Sequence, residues 1–273
     1  MNSLPGDPIL SCEEALAFEH DYFQENQDRE WEVMNRAGEA LGDSLLRDMR
    51  ELRTIPPRPR LLVLVGKGHN GGDALIAARR LLKTIPTARA VICHVAKWED
   101  CRPLCQKAHH DMIELVGNRV TETKILENLS GSKEVESTFT GLLEQGDFTA
   151  SIDGLLGMRA KLPLRPRLAE LVSVINRSKK IGVRVAVDLP TGIGEKSDGE
   201  ALRADFTYCT GIVKMPVIHK DNLKWTGRLR YLDLGFFDDS YVSNSRKSEI
   251  EVLRRTALKT LRELRPVDSD KRT

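Results

Sequence analysis

The chain has 273 residues, of which 40% are hydrophobic and 30% are charged, and its formal net charge at neutral pH is +2. Such a chain can bury a full hydrophobic core, and its balanced charge lacks the basic excess of a nucleic-acid-binding protein. Its longest apolar runs have the length of a strand and fall far short of the roughly 20 residues that cross a bilayer. We therefore expect a globular protein that binds neither nucleic acid nor membrane.

The N-terminal segment and the cysteines predict a cytoplasmic location. Residues 1–21 include Asp7, Glu13, Glu14 and Glu19, and they contain neither the apolar core of a secretion signal nor an arginine-rich presequence. The five cysteines are an odd number and lack the spacing of a small disulfide-rich domain. The pattern therefore indicates a reducing compartment.

Two helices are predicted before the first strand. The first runs from Ser11 to about Gln24 and opens with a capping box, and the second runs from about Glu30 to Arg53. We expect residues 1–57 to form an N-terminal helical segment that packs on a main domain of residues 58–240.

A glycine-rich turn follows the apolar strand Leu61–Val65 and leads into a helix. Its glycines, Gly66-x-Gly68-x-x-Gly71, formally match a dinucleotide fingerprint, and in such a turn backbone N–H groups converge on an anion. The same window resembles a P-loop, but Gly72-Asp73 stands where that motif requires Lys-Ser/Thr. Because Asp73 would repel a pyrophosphate, it favours sugar hydroxyls or an ion, unless it is only a helix cap.

Strand-like and helix-like windows alternate along the rest of the chain, which predicts a parallel sheet. The strand windows are Arg89–Ala96, Phe148–Asp153, Val183–Asp188, Asp205–Thr210 and Leu229–Leu234, and the helix windows are Cys101–Val116, Lys133–Gln145 and Arg165–Ser178. Polar residues fall at strand ends, where open parallel sheets bind their ligands. These residues are Asn70, Asp153, Asp188 and Lys214.

Three of these polar residues, Asp153, Asp188 and Lys214, also have a simpler interpretation. Asp153 and Asp188 are both followed by glycine-containing turns, and each could merely cap a turn rather than form an acid–base or cation site. Lys214 could be an ordinary solvated lysine. Cys101, Cys105 and His109, at i, i+4 and i+8, form a conceivable zinc site, although buried thiols are common on amphipathic helices.

Several motifs together resemble the YjeF-type N-terminal family of NAD(P)HX epimerases, which interconvert the R and S forms of hydrated NADH and NADPH. The family's glycine turn is similar to residues 66–73, its Met-Glu-Asn-Ala-Gly helix to Met34–Gly38, and its Val-Asp-Ile-Pro-Ser-Gly segment to Val187–Gly192. Arg203-Ala204-Asp205 and the turn around Lys214 also fit. The similarity spans most of the chain.

The resemblance implies a Rossmann-like three-layer α/β/α sandwich with a mostly parallel central sheet. It also implies one potassium ion per subunit, bound by Asn70, Asp153 and Thr191, whose oxygens suit a hard cation. Asp188 matches the family's substrate-contacting carboxylate and Lys214 its pocket lysine. The implied substrate pocket is formed by His69, Asn70, Gly71, Gly72, Asp73, Gly157, Met158, Arg159, Ala160, Lys161, Leu162, Pro163 and Asp188.

The chemistry of a hydrated nicotinamide gives Asp188 a role. The ring nitrogen can expel the neighbouring hydroxyl and leave a planar iminium ion, to which water can return on either face. A partly buried carboxyl group could protonate the departing hydroxyl and deprotonate the incoming water, and Asp188 is the predicted group. Lys214 would orient a water or the carboxamide, or tune Asp188.

Two other functions compete with the epimerase. The loop Gly157–Arg165 lacks the family's Gly-Thr-Gly-Leu and Arg-Gly-Pro steps, which a non-catalytic nucleotide-binding or scaffold paralogue would explain. In an epimerase with this altered loop, Arg159 or Lys161 would supply phosphate-binding charge in place of backbone N–H groups. A nicotinamide-dependent dehydrogenase would need an acidic residue about 20 positions past the glycines, and Glu99-Asp100 come later than that.

The C-terminal tail and the assembly follow from the same resemblance. Residues 241–273 are expected to form a helical tail, and Pro266–Thr273 resembles the junction to the ADP- or ATP-dependent dehydratase half of bifunctional relatives. A separate dehydratase is therefore an expected partner. Relatives often pair through their N-terminal helices, so we expect a homodimer.

Overall fold

The computed structural model describes residues 6–124, 132–197, 199–238, 250–254 and 257. Most of the predicted tail 241–273, including the junction-like Pro266–Thr273, lies outside these residues. In the described part of the chain, no helix is long and apolar enough to cross a membrane.

A seven-stranded parallel sheet forms the centre of the molecule. Its strands are β2 (Arg60–Val65), β3 (Arg89–His94), β4 (Val120–Lys124), β5 (Phe148–Gly154), β6 (Ile181–Val187), β7 (Phe206–Thr210) and β9 (Arg228–Leu232). Their spatial order is β4-β3-β2-β5-β6-β7-β9. The order reverses between β2 and β5, and such a switch point opens a crevice at the carboxyl ends of the strands.

Helices cover both faces of this sheet. The helices are α1 (Cys12–Phe23), α2 (Gln27–Leu52), α3 (His69–Thr84), α4 (Pro103–Val116), α5 (Ser132–Glu144), α6 (Pro166–Arg177), α7 (Met215–Ile218) and α8 (Leu223–Thr226). One core cluster joins α2, α3 and α4 to the sheet, and a second joins α5 and α6 to the opposite face. The expected three-layer α/β/α sandwich is therefore confirmed.

Strand β2 shows why both faces are covered. Leu61, Val63 and Val65 belong to the core under α2, α3 and α4, whereas Leu62 and Leu64 belong to the core under α5 and α6. Alternate side chains of a strand point to opposite faces, so an uninterrupted apolar run requires helices on both sides. Leu41, Leu45 and Met49 of α2 lie in the first of these cores.

A second, smaller sheet was not predicted. It consists of β1 (Gly6–Leu10), β8 (Val213–Lys214) and β10 (Glu251–Leu253), with β1 in the middle. Leu10 is paired with Lys214 in parallel register, and α1 begins two residues after Leu10. This small sheet therefore fixes α1 next to Lys214.

The predicted helices and strands agree closely with the structure. Ser11 caps α1, and the predicted capping box with Glu14 is present. The eight windows predicted after the glycine-rich turn all correspond to elements of the predicted type, and β7 and β9 extend the sheet at one edge. Strand β4 was missed because its sequence, VTETK, has little apolar character.

Candidate functional site

A cavity of about 1220 Å³ opens at the carboxyl end of the central sheet. Its wall is formed by α1, the first half of α2, the glycine-rich turn and the loop that follows β5, and it reaches both Asp188 and Lys214. Ligand pockets for drug-sized molecules typically measure about 300–1,000 Å³. The cavity is therefore large enough for a dinucleotide.

A buried ion pair joins Asp188 and Lys214. Nζ of Lys214 donates to Oδ1 of Asp188 at 2.7 Å, and the two residues are 1% and 3% exposed. The interpretation of Lys214 as a solvated surface lysine is therefore wrong. Burial by itself would lower the pKa of Lys214, but the carboxylates of Asp188 and Glu19 outweigh burial and raise that pKa. Lys214 is therefore positively charged at neutral pH.

The backbone holds Asp188 in an unusual conformation. Its φ angle is +66°, in the left-handed region, and its N–H donates to the carbonyl of Tyr208 on β7. Non-glycine residues adopt this conformation infrequently, and such strained positions cluster at functional sites. The strand β6 ends one residue earlier, so the turn aims Asp188 out of the sheet and into the cavity.

Asp73 is a second buried carboxyl group of the cavity. It lies within α3, whose N-cap is Gly68, so the alternative that Asp73 is a helix cap is wrong. Its Oδ1 atom has no hydrogen-bond partner among the described residues. Burial, followed by the charges of Asp188 and Glu19, raises the pKa of Asp73 well above its usual value.

The glycine-rich turn packs tightly against the neighbouring strand. A Cβ atom at Gly66 would lie 1.8 Å from the carbonyl oxygen of Leu155, so this position requires glycine. The N–H groups of Gly71 and Gly72 donate to the carbonyl of Gly68. Because those two N–H groups are engaged within the helix, an anion at this turn would be bound by N–H groups that precede Gly71.

Asn70 ties the turn to two other segments. Its Nδ2 donates to the carbonyl of Leu156 at 3.1 Å and to the carbonyl of Val187 at 2.9 Å. Its Oδ1 lies beside Gly157, where an added Cβ would be only 2.7 Å away. These contacts orient the amide and bring the loops after β5 and β6 together.

Asp153 and Thr191 form one buried cluster. The carboxylate of Asp153 accepts hydrogen bonds from the N–H and the hydroxyl of Thr191, at 2.8 and 2.7 Å, and from the N–H of Leu155. Burial raises the pKa of Asp153 to about 6, although these bonds act in the opposite direction. The bond from Leu155 is the local contact that the capping alternative predicts. The main partner of Asp153 is nevertheless Thr191, which is distant in sequence.

The three predicted cation ligands are linked through Leu156. The hydroxyl of Thr191 accepts a hydrogen bond from the N–H of Leu156 and donates one to Asp153. The carbonyl of Leu156 accepts a hydrogen bond from Nδ2 of Asn70. The donors are carboxylate, hydroxyl and amide oxygens, which hard cations prefer. A cation here would also offset the cost of burying the Asp153 charge.

The loop after β5 supplies much of the cavity wall. Gly157, Met158, Arg159, Ala160 and Lys161 line the cavity. Leu162 instead packs near Gly194, and Pro163 follows it through a cis peptide bond. The predicted pocket loop thus divides into a cavity-lining part and a part that packs against the chain after β6.

His69 lies between charged neighbours at the cavity edge. Its ring approaches Oε1 of Glu30 at 3.4 Å and Nη1 of Arg102 at 3.4 Å. Burial, together with Arg102 and Arg159, lowers the pKa of His69 to about 4. His69 is therefore neutral at physiological pH and accepts a hydrogen bond from Arg102.

The cysteine and histidine pattern has a packing explanation. His109 bonds to Glu122 at 2.8 Å and stacks on Trp98, away from the thiols of Cys101 and Cys105. Within the described ranges, no group of three His, Cys, Asp or Glu residues is arranged to hold a metal. The zinc site conceived from the spacing is therefore not formed by these side chains.

Glu19 also lines the cavity, although it was not among the site residues predicted from the sequence. Four residues of α1 line the cavity with the spacing of one helix face, namely Leu16, Glu19, His20 and Phe23. The available signal was a glutamate between Leu16 and Phe23 on one face of a predicted helix.

Comparison with known proteins gives consistent matches. Residues 30–215 match the model of the family described as YjeF-related protein N-terminus. The bifunctional NAD(P)H-hydrate repair enzyme Nnr of Gloeobacter violaceus is 35% identical over 184 residues, which are 65% of this chain and 31% of that protein. The NAD(P)H-hydrate epimerase of Rhodopirellula baltica is 32% identical over 189 residues, which are 67% of this chain and 69% of that protein.

A solved structure shares the fold. The crystal structure of yeast ynu0 matches with a TM-score of 0.58 at 18% sequence identity and covers 74% of this chain and 79% of its own. The match spans less than a third of the bifunctional relative and about two thirds of the Rhodopirellula baltica epimerase. Since the family model covers well over half of its residues, the chain belongs to the YjeF-related N-terminal family.

Proposed function

We propose that this protein is an NAD(P)H-hydrate epimerase, which interconverts the R and S epimers of hydrated NADH and NADPH. The observation that carries the proposal is the buried Asp188–Lys214 pair in the wall of a dinucleotide-sized cavity, beside a glycine-rich strand-to-helix turn. Relatives named NAD(P)H-hydrate epimerase or repair enzyme support the same substrate.

The reaction needs two proton transfers. The bond between the hydrated ring carbon and its hydroxyl oxygen breaks as the ring nitrogen's lone pair forms a C=N bond, and the departing hydroxyl takes up a proton. Water then adds to the other face of the iminium ion, the electron pair returns to nitrogen, and the water loses a proton. Asp188 lies in the cavity wall, where Lys214 holds its carboxylate in place, so it is positioned to take the proton of the incoming water.

Nucleotide binding would use both ends of the cavity. The N–H groups at the start of α3 and the side chains of Arg159 and Lys161 offer positive potential to phosphates. Asp73 keeps an unpaired oxygen that can accept a bond from a sugar hydroxyl, or donate one when protonated. Neutral His69 adds no charge of its own.

We also propose that one potassium ion binds at Asn70, Asp153 and Thr191. When bound, it would neutralise the buried Asp153 charge and add positive potential beneath the phosphate-binding turn. The expected homodimer, cytoplasmic location and separate ADP- or ATP-dependent dehydratase stay predictions. Relatives named as bifunctional repair enzymes are consistent with such a partner activity.

The dehydrogenase alternative loses support because β3 ends at His94 rather than at an acidic residue, and Glu99-Asp100 lie in the turn beyond it.

An activity measurement distinguishes the epimerase from the paralogue alternative. Purified R-NADPHX is incubated with the protein in potassium buffer, and the S epimer is separated chromatographically against a no-enzyme control. Faster appearance of the S epimer supports the proposal, whereas tight NADP⁺ binding without acceleration supports a paralogue that binds the nucleotide without catalysis.

A further inference from the structure

A third carboxyl group of the cavity, that of Glu19, faces the Asp188–Lys214 pair from the N-terminal helix. Glu19 shares its cavity-lining stripe of α1 with Leu16, His20 and Phe23. The adjoining side of α1 is anchored, since Phe18 packs against Phe236 and Phe237 with ring centroids 5.7 and 5.0 Å apart. The rotation of α1 is thereby fixed so that Glu19 points towards the cavity.

The start of α1 is tied to the same ion pair. Leu10 lies beside Lys214 in the small sheet, and the first residue of α1, Cys12, is close enough to Asp188 and Lys214 for both to influence its thiol. Glu19 comes two turns later on the same side of the helix. A helix rises about 1.5 Å per residue, which places Glu19 about 10 Å along the helix axis from Cys12.

The charged groups around Glu19 come from several elements. Lys214 on β8, Asp188 after β6, Arg159 after β5 and Glu30 on α2 all act on its charge. Burial is the largest effect and raises the pKa of Glu19 to about 7. A substantial fraction of Glu19 is therefore protonated at neutral pH. Asp188 is instead paired with Lys214 through a hydrogen bond.

We propose that Glu19 is a second catalytic residue, which donates the proton to the departing hydroxyl while Asp188 accepts the proton of the incoming water. This inference rests on the proposed epimerase function. In the first step the C–O bond breaks, the C=N bond forms, and the Glu19 proton leaves with the hydroxyl as water. In the second step a new C–O bond forms and the water's proton passes to Asp188. A proton then returns from Asp188 to Glu19 through solvent, which restores both groups.

The test compares Glu19→Gln with Glu13→Gln, a change at an exposed position in the first turn of the same helix. Initial rates of R-to-S conversion are measured from pH 5.5 to 9 with the uncatalysed rate subtracted, and NADP⁺ affinity is measured by calorimetry. We expect Glu19→Gln to lower the maximal rate about 100-fold or more, the range for loss of a general acid or base, with NADP⁺ affinity within about threefold of the wild type.

The pH profile separates catalysis from structure. In the wild type, the rate falls as the pH rises above about 7, because Glu19 loses its proton, and Glu19→Gln lacks this fall. Glu19→Asp, which keeps the carboxyl group, recovers part of the rate. Unchanged activity in Glu19→Gln would overturn the role of Glu19, as would a rate loss matched by equal loss of NADP⁺ affinity.

Two further outcomes also decide the assignment. Loss of the alkaline fall in Asp73→Asn but not in Glu19→Gln would transfer the proton donor to Asp73. A wild-type protein without any epimerase activity would instead overturn the proposed function itself, and the role of Glu19 with it. An active wild type with an unaffected Glu19→Gln leaves the epimerase function standing and removes only Glu19.

Discussion

Lys214 and Asp188 form an ion pair across 26 positions of sequence, with 2.7 Å between Nζ and Oδ1 and both side chains out of contact with bulk water. One partner belongs to the small sheet and the other to the turn after β6 of the central sheet. The pair therefore joins the two sheets at the cavity, and its loss should affect both stability and chemistry.

Replacing Lys214 by methionine should be strongly destabilising. The Asp188 charge would be left buried without its partner, which typically costs about 3–5 kcal/mol. Asn at position 188 removes that charge and tolerates the left-handed backbone, so Lys214→Met combined with Asp188→Asn should recover much of the loss. Urea denaturation measures the free energy of unfolding of the single and the double variant. Lys220→Met, at an exposed position, is the control. A double variant no more stable than Lys214→Met would contradict this account of the pair.

Potassium should stabilise the protein through Asp153. A ligand that binds only the folded state adds about 2.7 kcal/mol at 100 times its Kd. Thermal unfolding is followed as potassium replaces tetramethylammonium at constant ionic strength, and the melting temperature should rise in the wild type. The rise should vanish in Asp153→Asn and persist in Asp147→Asn, an exposed change just before the same strand. An equal rise in all three proteins would exclude Asp153 as a ligand.

The burial of Asp153 should also make stability depend on pH when potassium is absent. The pKa of Asp153 rises from 3.8 to about 6 in the folded state, so the folded protein holds this proton more tightly than the unfolded chain. Its stabilising contribution is complete below about pH 4 and is lost as the pH rises through about 6, by about 2–3 kcal/mol.

The free-energy difference between wild type and Asp153→Asn isolates this effect. Chemical denaturation at several pH values should show the wild type losing stability relative to the variant between about pH 4 and pH 6. A difference that is constant over this range, or that grows in favour of the wild type, would show that burial does not raise the Asp153 pKa.

Gly157 should be required to keep Asn70 in place. A Cβ at this position would lie 2.7 Å from Oδ1 and 3.2 Å from Nδ2 of Asn70, whose amide holds Leu156 and Val187. Overpacking of this kind costs about 1–3 kcal/mol, and Gly157→Ala should weaken NADP⁺ binding in calorimetry. Gly199→Ala is the matched control, because nothing lies within 4 Å of its added Cβ. Equal affinities in the two variants would contradict the role of Gly157.

The main fold could be predicted from sequence because its elements carry strong local patterns. The apolar run Leu61–Val65 and the capping box at Ser11 are examples. The small sheet could not be predicted, since β8 has only two residues and β1 pairs with segments more than 200 positions away. No periodicity exists in a strand of that length, and its partners are chosen by the tertiary fold.

The candidate site, like the fold, could be predicted from the sequence only in part. Asp188, Asn70 and Asp153 could be proposed because they follow strands whose carboxyl ends meet in a parallel sheet. The burial of Lys214 and the orientation of Glu19 depend on β1, which places α1 beside β8. Those two features therefore follow from long-range packing that the local sequence does not encode.

Isotope incorporation tests the central claim most directly, namely that the hydroxyl leaves and water returns at a site that contains Asp188. R-NADPHX is incubated with the wild type or Asp188→Asn in ¹⁸O-labelled water. The S epimer is then isolated and its ¹⁸O content is measured by mass spectrometry. We predict rapid formation of the S epimer with one ¹⁸O atom in the wild type, and no acceleration over the enzyme-free reaction in Asp188→Asn despite retained NADP⁺ binding. An unlabelled S epimer, or equal rates in the two proteins, would contradict the account.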